Sequence, residues 1–452
     1  MKQGFTISLI FLVSIGLYSQ VPAGQREIGI ELTFAENNSW DSAFVHGYQA
    51  CMRNMYFSFD WSALEPAPTQ YDSSMLGMVG VLDYYLHAYG VKLQLNLHVI
   101  NTVKREVPPD LDSVPYDSPL FIQRFTAMFD TVLAYLPHGL ESLIISNESD
   151  VALSEDSLEM ESFKRFLDTA AAYCRVKYQA VFGKPLAVGT ALTWDGLTNP
   201  VTASWWQRLN ETMDFIAVTY YPVSALAQVR NPSVVPQEWA QLISLYPDTS
   251  RPVRFVECGY PSSPVLQSND SLQAAFIHEV FNAWDQHASR IDYVSFFMLT
   301  DWSQSYVDTL AVYYGLPNHL GFKEFLRTLG LRTYPGNGQD KPAYRQLQCE
   351  ANSRGFCSAP CLVSGVEDEI TTVSGAWLVA NPVTDQLRLT GPVSSGRLVL
   401  TDLSGRVIRM WEEIPATGQR SLPVAGLPSG TYLLTVTGKS GQPLHTVKVI
   451  KL

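Results

Sequence analysis

Basic residues are in short supply: 31 Lys and Arg stand against 43 Asp and Glu in 452 residues, a net charge of -12. Phosphate recognition needs a basic face, so this balance argues against nucleic acid as a partner. Charge of either sign is modest at 16%, while hydrophobic residues reach 46%, a composition that excludes extended disorder. Long apolar runs are missing beyond the first twenty residues, so no stable membrane span is expected. The opening "MKQGFTISLIFLVSIGLYSQ" sets Lys2 before an apolar run of signal-peptide length, followed by small and polar residues. Residues 1–23 are therefore read as a secretory signal, with cleavage near Ser19 or near Ala23 both fitting. Cysteine is sparse, at six. Cys51, Cys174 and Cys258 are scattered and read as small buried residues, whereas Cys349, Cys357 and Cys361 lie close enough for a local bridge that leaves one thiol over. No histidine accompanies that cluster and a fourth ligand is lacking, which argues against zinc.

What is present is a regular alternation. From about residue 26 to 348, short apolar runs alternate with longer helical patterns, as parallel βα units require. The predicted strands are "EIGIEL", "MYFSFDW" (55–61), "KLQLNLH" (92–98), "SLIISNE" (142–148), "LAVGTAL" (186–192), "DFIAVTY" (214–220), "VRFVE" (253–257) and "DYVSFFML" (292–299). Eight strands close a (β/α)8 TIM barrel, assigned here to residues 24–348. Between them, Phe163, Phe166, Leu167, Ala170, Tyr173 and Cys174 recur at three- and four-residue steps and predict a barrel-coating helix that stops at Gly183. His278 and His287 fall on a similar helical stretch, 271–288, and are read as surface or packing residues. Residues 349–373 are expected to be a linker. From 374 to 452 the chain gives short strands separated by Gly, Pro and Ser turns, which predict a small all-β sandwich.

A (β/α)8 barrel builds its active site at the carboxyl ends of its strands. Strand four ends in "ISNESD", with Asn147 and Glu148, and strand seven ends in "VECGYP", with Glu257. Strand three offers Asn96 and His98, strand six Tyr220 and Tyr221, strand eight Asp301 and Trp302, and Trp61 follows strand two. Two carboxylates facing each other across the mouth suit glycosidic cleavage with retention, in which one protonates the leaving oxygen and the other, about 5 Å away, attacks the anomeric carbon. Mutual repulsion then holds a proton on one while the other stays anionic. Sugar rings also present apolar faces that stack on aromatic side chains, which makes Trp61, Trp194, Tyr220, Tyr221 and Trp302 candidates for binding.

"ISNESD" and "FVECGYPSS" resemble the strand-four and strand-seven motifs of clan A glycoside hydrolases, the latter in the Glu-x-Gly-[Trp/Tyr]-Pro form of endo-β-glucanase and endo-galactanase families. The resemblance implies Glu148 as acid/base, Glu257 as nucleophile, Asn147 as partner of the sugar 2-hydroxyl, and Tyr220 or Tyr221 as the tyrosine bonded to the nucleophile. It also implies Trp302 as the floor of the central subsite, a carbohydrate substrate, and no metal or organic cofactor. "WSALEPAPTQYD" and "KPAYRQL" are similar to further segments of such barrels. One departure stands out: the arginine that many members carry on strand two is replaced by Met55 and Tyr56, with Arg53 further back. That departure supports the competing expectation, a non-catalytic carbohydrate-binding or surface protein on a degenerate barrel. The C-terminal "NPVTDQLRL", "LVLTDLSGRVI", "LPSGTYLLTV" and "VKVIKL" resemble the type IX secretion sorting domain of Bacteroidetes-type bacteria. This implies the type IX machinery as a partner and a chain exported through the periplasm to the outer surface or medium. The chain is expected to act as a monomer.

Overall fold

The computed structural model describes residues 20–451 apart from 155–156, 225–227, 360, 362–377, 380–382, 384, 391–395, 403–405, 412–418, 429 and 439–442. Most of the expected signal and much of the expected linker thus lie outside the described residues. The chain divides into two compact units, Met1–Val363 and Ser364–Leu452.

The first unit is a barrel of eight parallel strands: β1 (Glu27–Ile30), β2 (Asn54–Asp60), β3 (Lys92–Asn101), β4 (Ser142–Asn147), β5 (Ala187–Gly189 and Ala191–Thr193), β6 (Ile216–Tyr220), β7 (Val253–Cys258) and β8 (Ile291–Phe296). The ladders run β2-β3-β4-β5 and β5-β6-β7-β8-β1, and the parallel bridge Ile28–Met52 closes β1 on the start of β2. Sequence predicts β5 as one run; the chain instead changes partner within it, its first half pairing with β4 and its second with β6. Thr190 sits at this seam and donates its hydroxyl to the carbonyl of Ile145.

Alternation along the strands separates two cores. Tyr56, Ile144, Ala191, Ala217, Val256 and Tyr293 pack together inside the barrel, while the outward residues join the helical layer. The helix Leu158–Phe182 buries Phe163, Phe166, Leu167, Ala170 and Cys174, is capped by the Ser157 hydroxyl and ends at left-handed Gly183, as its sequence predicts. His278 pairs with Glu350 on the protein's exterior, and His287 forms the end of its helix.

Two expectations are corrected here. The chain beyond residue 348 stays with the barrel: the helix Pro342–Ser353 runs through it, and Phe356, Cys357 and Ala359 pack on the barrel core. Cys349 does bridge locally to Cys361, but the remaining Cys357 pairs with Cys51, 306 residues away, leaving Cys174 and Cys258 as buried thiols. Spacing along the chain cannot show such a pairing, because β1, β2 and the last helix meet only once the barrel has closed.

The second unit has a three-stranded antiparallel sheet (Leu378–Val379, Gln386–Thr390, Gln419–Pro423) and a four-stranded one (Val407–Trp411, Gly396–Asp402, Gly430–Gly438, Pro443–Lys451). Leu387 and Leu422 of the first sheet share a core with Leu398, Leu400, Leu434 and Val449 of the second, the small sandwich expected from sequence.

Candidate active site

Glu257 interrupts an apolar strand, and the register of β7 shows how it comes to face the mouth. Against β6, Phe255 pairs with Val218 but Glu257 with Thr219, so β7 carries one extra residue at Val256. A similar irregularity stands on the β8 side. Phe255 packs outward and Val256 inward, and the bulge lets Glu257 face inward as well, one rung nearer the rim. Gly259 follows because nothing larger fits: a Cβ there would lie 2.6 Å from the carbonyl oxygen of Phe297 and 2.7 Å from the ring of Tyr221.

The end of β4 is bent too. Ser146 and Glu148 hold left-handed backbone conformations, φ 74° and 48°. Such conformations are costly outside glycine and persist where surrounding contacts enforce them. Here the hydroxyl of Ser146 accepts the N–H of Ile100, tying β4 to β3.

These distortions bring the two carboxylates together with four donors. Glu148 accepts from the hydroxyls of Thr219 (2.6 Å) and Thr102 (2.8 Å). Glu257 accepts from the Tyr221 hydroxyl (2.7 Å) and the Asn147 amide (3.2 Å). Burial raises the pKa of both acids, and the negative charge of Glu148 raises Glu257 further. The pair therefore titrates as a unit that holds one proton more readily than none. Against burial, the hydroxyls of Thr219 and Thr102 favour the charged form of Glu148, as Tyr221 and Asn147 favour that of Glu257.

Other residues surround the pair. His98 is buried, its Nδ1 2.8 Å from Asp60 and its Nε2 without a partner, and its proximity favours the charged form of Glu148. Glu31, the first residue after β1, lies near Glu257 with no side-chain hydrogen bond or ion pair among the described residues, and burial raises its pKa to about 7. Trp302 is half-buried at the end of β8, edge-on to Phe297 (5.6 Å) and Tyr306 (5.1 Å). A cavity of about 330 Å³ adjoins Glu148, Trp194, Asp195, Thr219 and Tyr221, and is lined on another side by Phe322 and Phe325.

Several sequence-predicted residues stand elsewhere. Trp61 is fully buried, edge-on to Phe121 and Phe125, with its indole N–H donated to Glu65; it is a core residue. Tyr220 is also fully buried and gives its hydroxyl to Glu238, so of the two tyrosines it is Tyr221 that bonds Glu257. Asn96 lies inside the barrel, bonded to Tyr56 beneath the mouth. Arg53 binds the carbonyls of Tyr48 and Met52 at the start of β2, the opposite end of the barrel, so no register shift brings it to Glu257. Thr102, Thr219 and Glu31 are missed by the sequence reading. Glu31 had the same signal as Glu257, a carboxylate ending an apolar strand.

Among the described residues, no group of three or more His, Cys, Asp and Glu side chains is placed to hold a metal ion, and no helix is long and apolar enough to cross a membrane.

Structural comparison decides the fold. The chain superposes on an exo-β-1,4-mannosidase from Opitutaceae bacterium strain TAV5 (TM-score 0.51, 16% identity, 76% of this chain and 62% of that one). It also matches a GH5_18 protein from Bifidobacterium longum, solved in complex with Manβ1-4GlcNAc (TM-score 0.56, 13% identity, 75% and 80% of the two chains). A GH5_18 protein from Streptomyces cattleya, solved with the same disaccharide, gives a TM-score of 0.55 at 14% identity over 74% and 82% of the chains. The barrel has the TIM-barrel glycoside hydrolase fold. The chain spans less than two thirds of the mannosidase. No curated protein sequence matches it. At the other end, residues 380–451 match the secretion system C-terminal sorting domain, which marks this glycoside hydrolase fold for export.

Proposed function

We propose that the protein is an exported retaining β-glycosidase. The observation that carries this reading is the pair itself: two half-buried carboxylates at the ends of β4 and β7, one held by hydroxyls, the other by a tyrosine and an amide. In the first step Glu257 attacks the anomeric carbon while Glu148 gives its proton to the departing oxygen. In the second, Glu148 takes a proton from water as that water displaces Glu257 from the glycosyl group. Asn147 bonds the nucleophile, and its Oδ1, buried without a partner, is available to the sugar 2-hydroxyl. The sorting domain then supports passage through the periplasm and release or attachment at the cell surface by the type IX machinery. No metal or organic cofactor takes part in these steps.

The test is a screen of the purified chain on aryl β-glycosides and on β-glucans, galactans, mannans and xylans, with Glu257→Ala alongside. Hydrolysis with net retention by proton NMR, lost in the variant, is the expected result. Equal activity in the variant refutes the assigned nucleophile, and inversion refutes the two-step route.

A further inference from the structure

The long excursion between β8 and the helix Pro342–Ser353 crosses the mouth of the barrel. At the end of its helix Gln304–Tyr313, the Tyr313 hydroxyl donates to the carbonyl of Asn101 on β3 (3.1 Å). Its next helix, Leu320–Arg327, sets Phe325 edge-on to Tyr221 (5.3 Å) and Phe322 edge-on to Tyr314 (5.1 Å). With Leu316, these two phenylalanines form one wall of the cavity of about 330 Å³, and Trp194, Tyr221 and Val223, which follow β5 and β6, form another. The cavity thus exists only because the excursion meets the strand ends.

Most side-chain donors of this lining are already engaged. Thr193 gives its hydroxyl to Asp150, Thr219 to Glu148 and Tyr221 to Glu257, and the Trp194 indole N–H goes to the carbonyl of Glu238. The polar side chains left over, Asp195, Ser224 and His319, are exposed, whereas Trp194, Tyr221, Val223, Phe322 and Phe325 are half-buried. An apolar floor with a polar rim results. A sugar ring placed on that floor would bring several hydroxyls, and each one that lost water without finding a partner would cost more than an ordinary hydrogen bond contributes. The buried atoms that do lack a partner at the mouth, Asn147 Oδ1 and His98 Nε2, belong to residues outside this lining. The hydroxyl-rich part of a substrate is drawn to them, and the cavity is left for something apolar. Because Glu148 borders the cavity and protonates the departing oxygen, that occupant is the leaving group.

Resting on the glycosidase reading, we propose that this cavity is an aglycone site for apolar alcohols, so that the protein cleaves β-glycosides of aromatic or long-chain alcohols in preference to sugar joined to sugar. Glu148 gives its proton to the alcohol oxygen as the bond to the anomeric carbon breaks, and the water of the second step completes the hydrolysis. The experiment compares, with the full chain, kcat/KM for the methyl, octyl and 2-phenylethyl β-glycosides of glucose, mannose, galactose and xylose and for the β-1,4-linked disaccharides of the same sugars. A sugar hydroxyl leaves more readily than a simple alcohol, so leaving-group chemistry alone favours the disaccharides. The expected result, on the sugar the protein accepts, is a rise of about tenfold or more from methyl to octyl or 2-phenylethyl, as burial of about 60 Å² of apolar surface gives, with the better of the two above the disaccharide. Whichever of the two leads tells a lipid alcohol from an aromatic one. A flat series, or a disaccharide cleaved as well as the octyl and 2-phenylethyl glycosides, overturns the aglycone assignment and leaves the glycosidase reading intact. No turnover of any of these or of any aryl glycoside overturns both. Phe322→Ala and Trp194→Ala should each lower the ratio of the leading glycoside to the methyl glycoside, by up to about tenfold. A ratio unchanged in both variants overturns the placement of the aglycone in this cavity.

Discussion

Replacing Tyr221 with phenylalanine removes one oxygen atom and one hydrogen bond from the site. The ring contacts to Phe297 and Phe325 remain, so the scaffold should hold. The lost bond is 2.7 Å long and ends on Glu257. A hydrogen bond to a charged group contributes about 1.5–3 kcal/mol, and a pKa unit corresponds to about 1.4 kcal/mol. Without the donor, the anion of Glu257 is harder to form, and the first ionisation of the carboxylate pair should move up by about one to two units. The assay is kcat/KM against pH on the best aryl glycoside, because that profile reports the groups of the unliganded enzyme. Its acidic limb should shift to higher pH by that amount, and kcat/KM at the wild-type optimum should fall about ten- to a hundredfold. An acidic limb left in place, with kcat/KM unaltered, would refute the claim that Tyr221 sets the charge of the nucleophile.

Further outcomes follow from burial, cross-links and the sorting domain. Glu31 has an ordinary value of 4.5 that burial raises to about 7, so its charge opposes folding increasingly as pH rises across that window. Glu31→Gln should therefore raise the melting temperature at pH 8 and leave it unchanged at pH 4; an equal gain at both would show that its charge is not the cause. Removing the Cys51–Cys357 bridge by double substitution to alanine should cost about 2–4 kcal/mol in a denaturant titration, and an unchanged midpoint would mean the bridge does not restrain the unfolded chain. Deletion of residues 364–452 should leave the barrel active but trapped inside the cell envelope, measured by fractionation; normal release would show that the C-terminal unit does not direct export.

Much of this site was legible in the sequence, for physical reasons that particular residues illustrate. Glu148 and Glu257 were visible because a charge ending an apolar strand has no structural motive. Tyr221 and Tyr220 were indistinguishable by position along the chain, yet alternation from inward Ala217 places Tyr220 outward, where it meets Glu238. Trp61 misled because closeness to a strand end says nothing about direction: it opens the short helix Trp61–Leu64 and turns into the outer core. Neither the Cys51–Cys357 bridge nor the crossing of the mouth by the residues after β8 leaves a local pattern, since both depend on which elements meet after closure.

The extra residue in β7 means that the depth of Glu257 is decided by counting rather than by chemistry. With regular pleating, a carboxylate next after Phe255 would face inward at the level of Val256, walled in by Tyr56, Ala217 and Tyr293 where no substrate reaches. One added residue lifts it a rung without turning it away. A substitution at Val256 is felt as packing, but a one-residue deletion would sink the reactive group into the barrel's filling while leaving every side chain of the active site present.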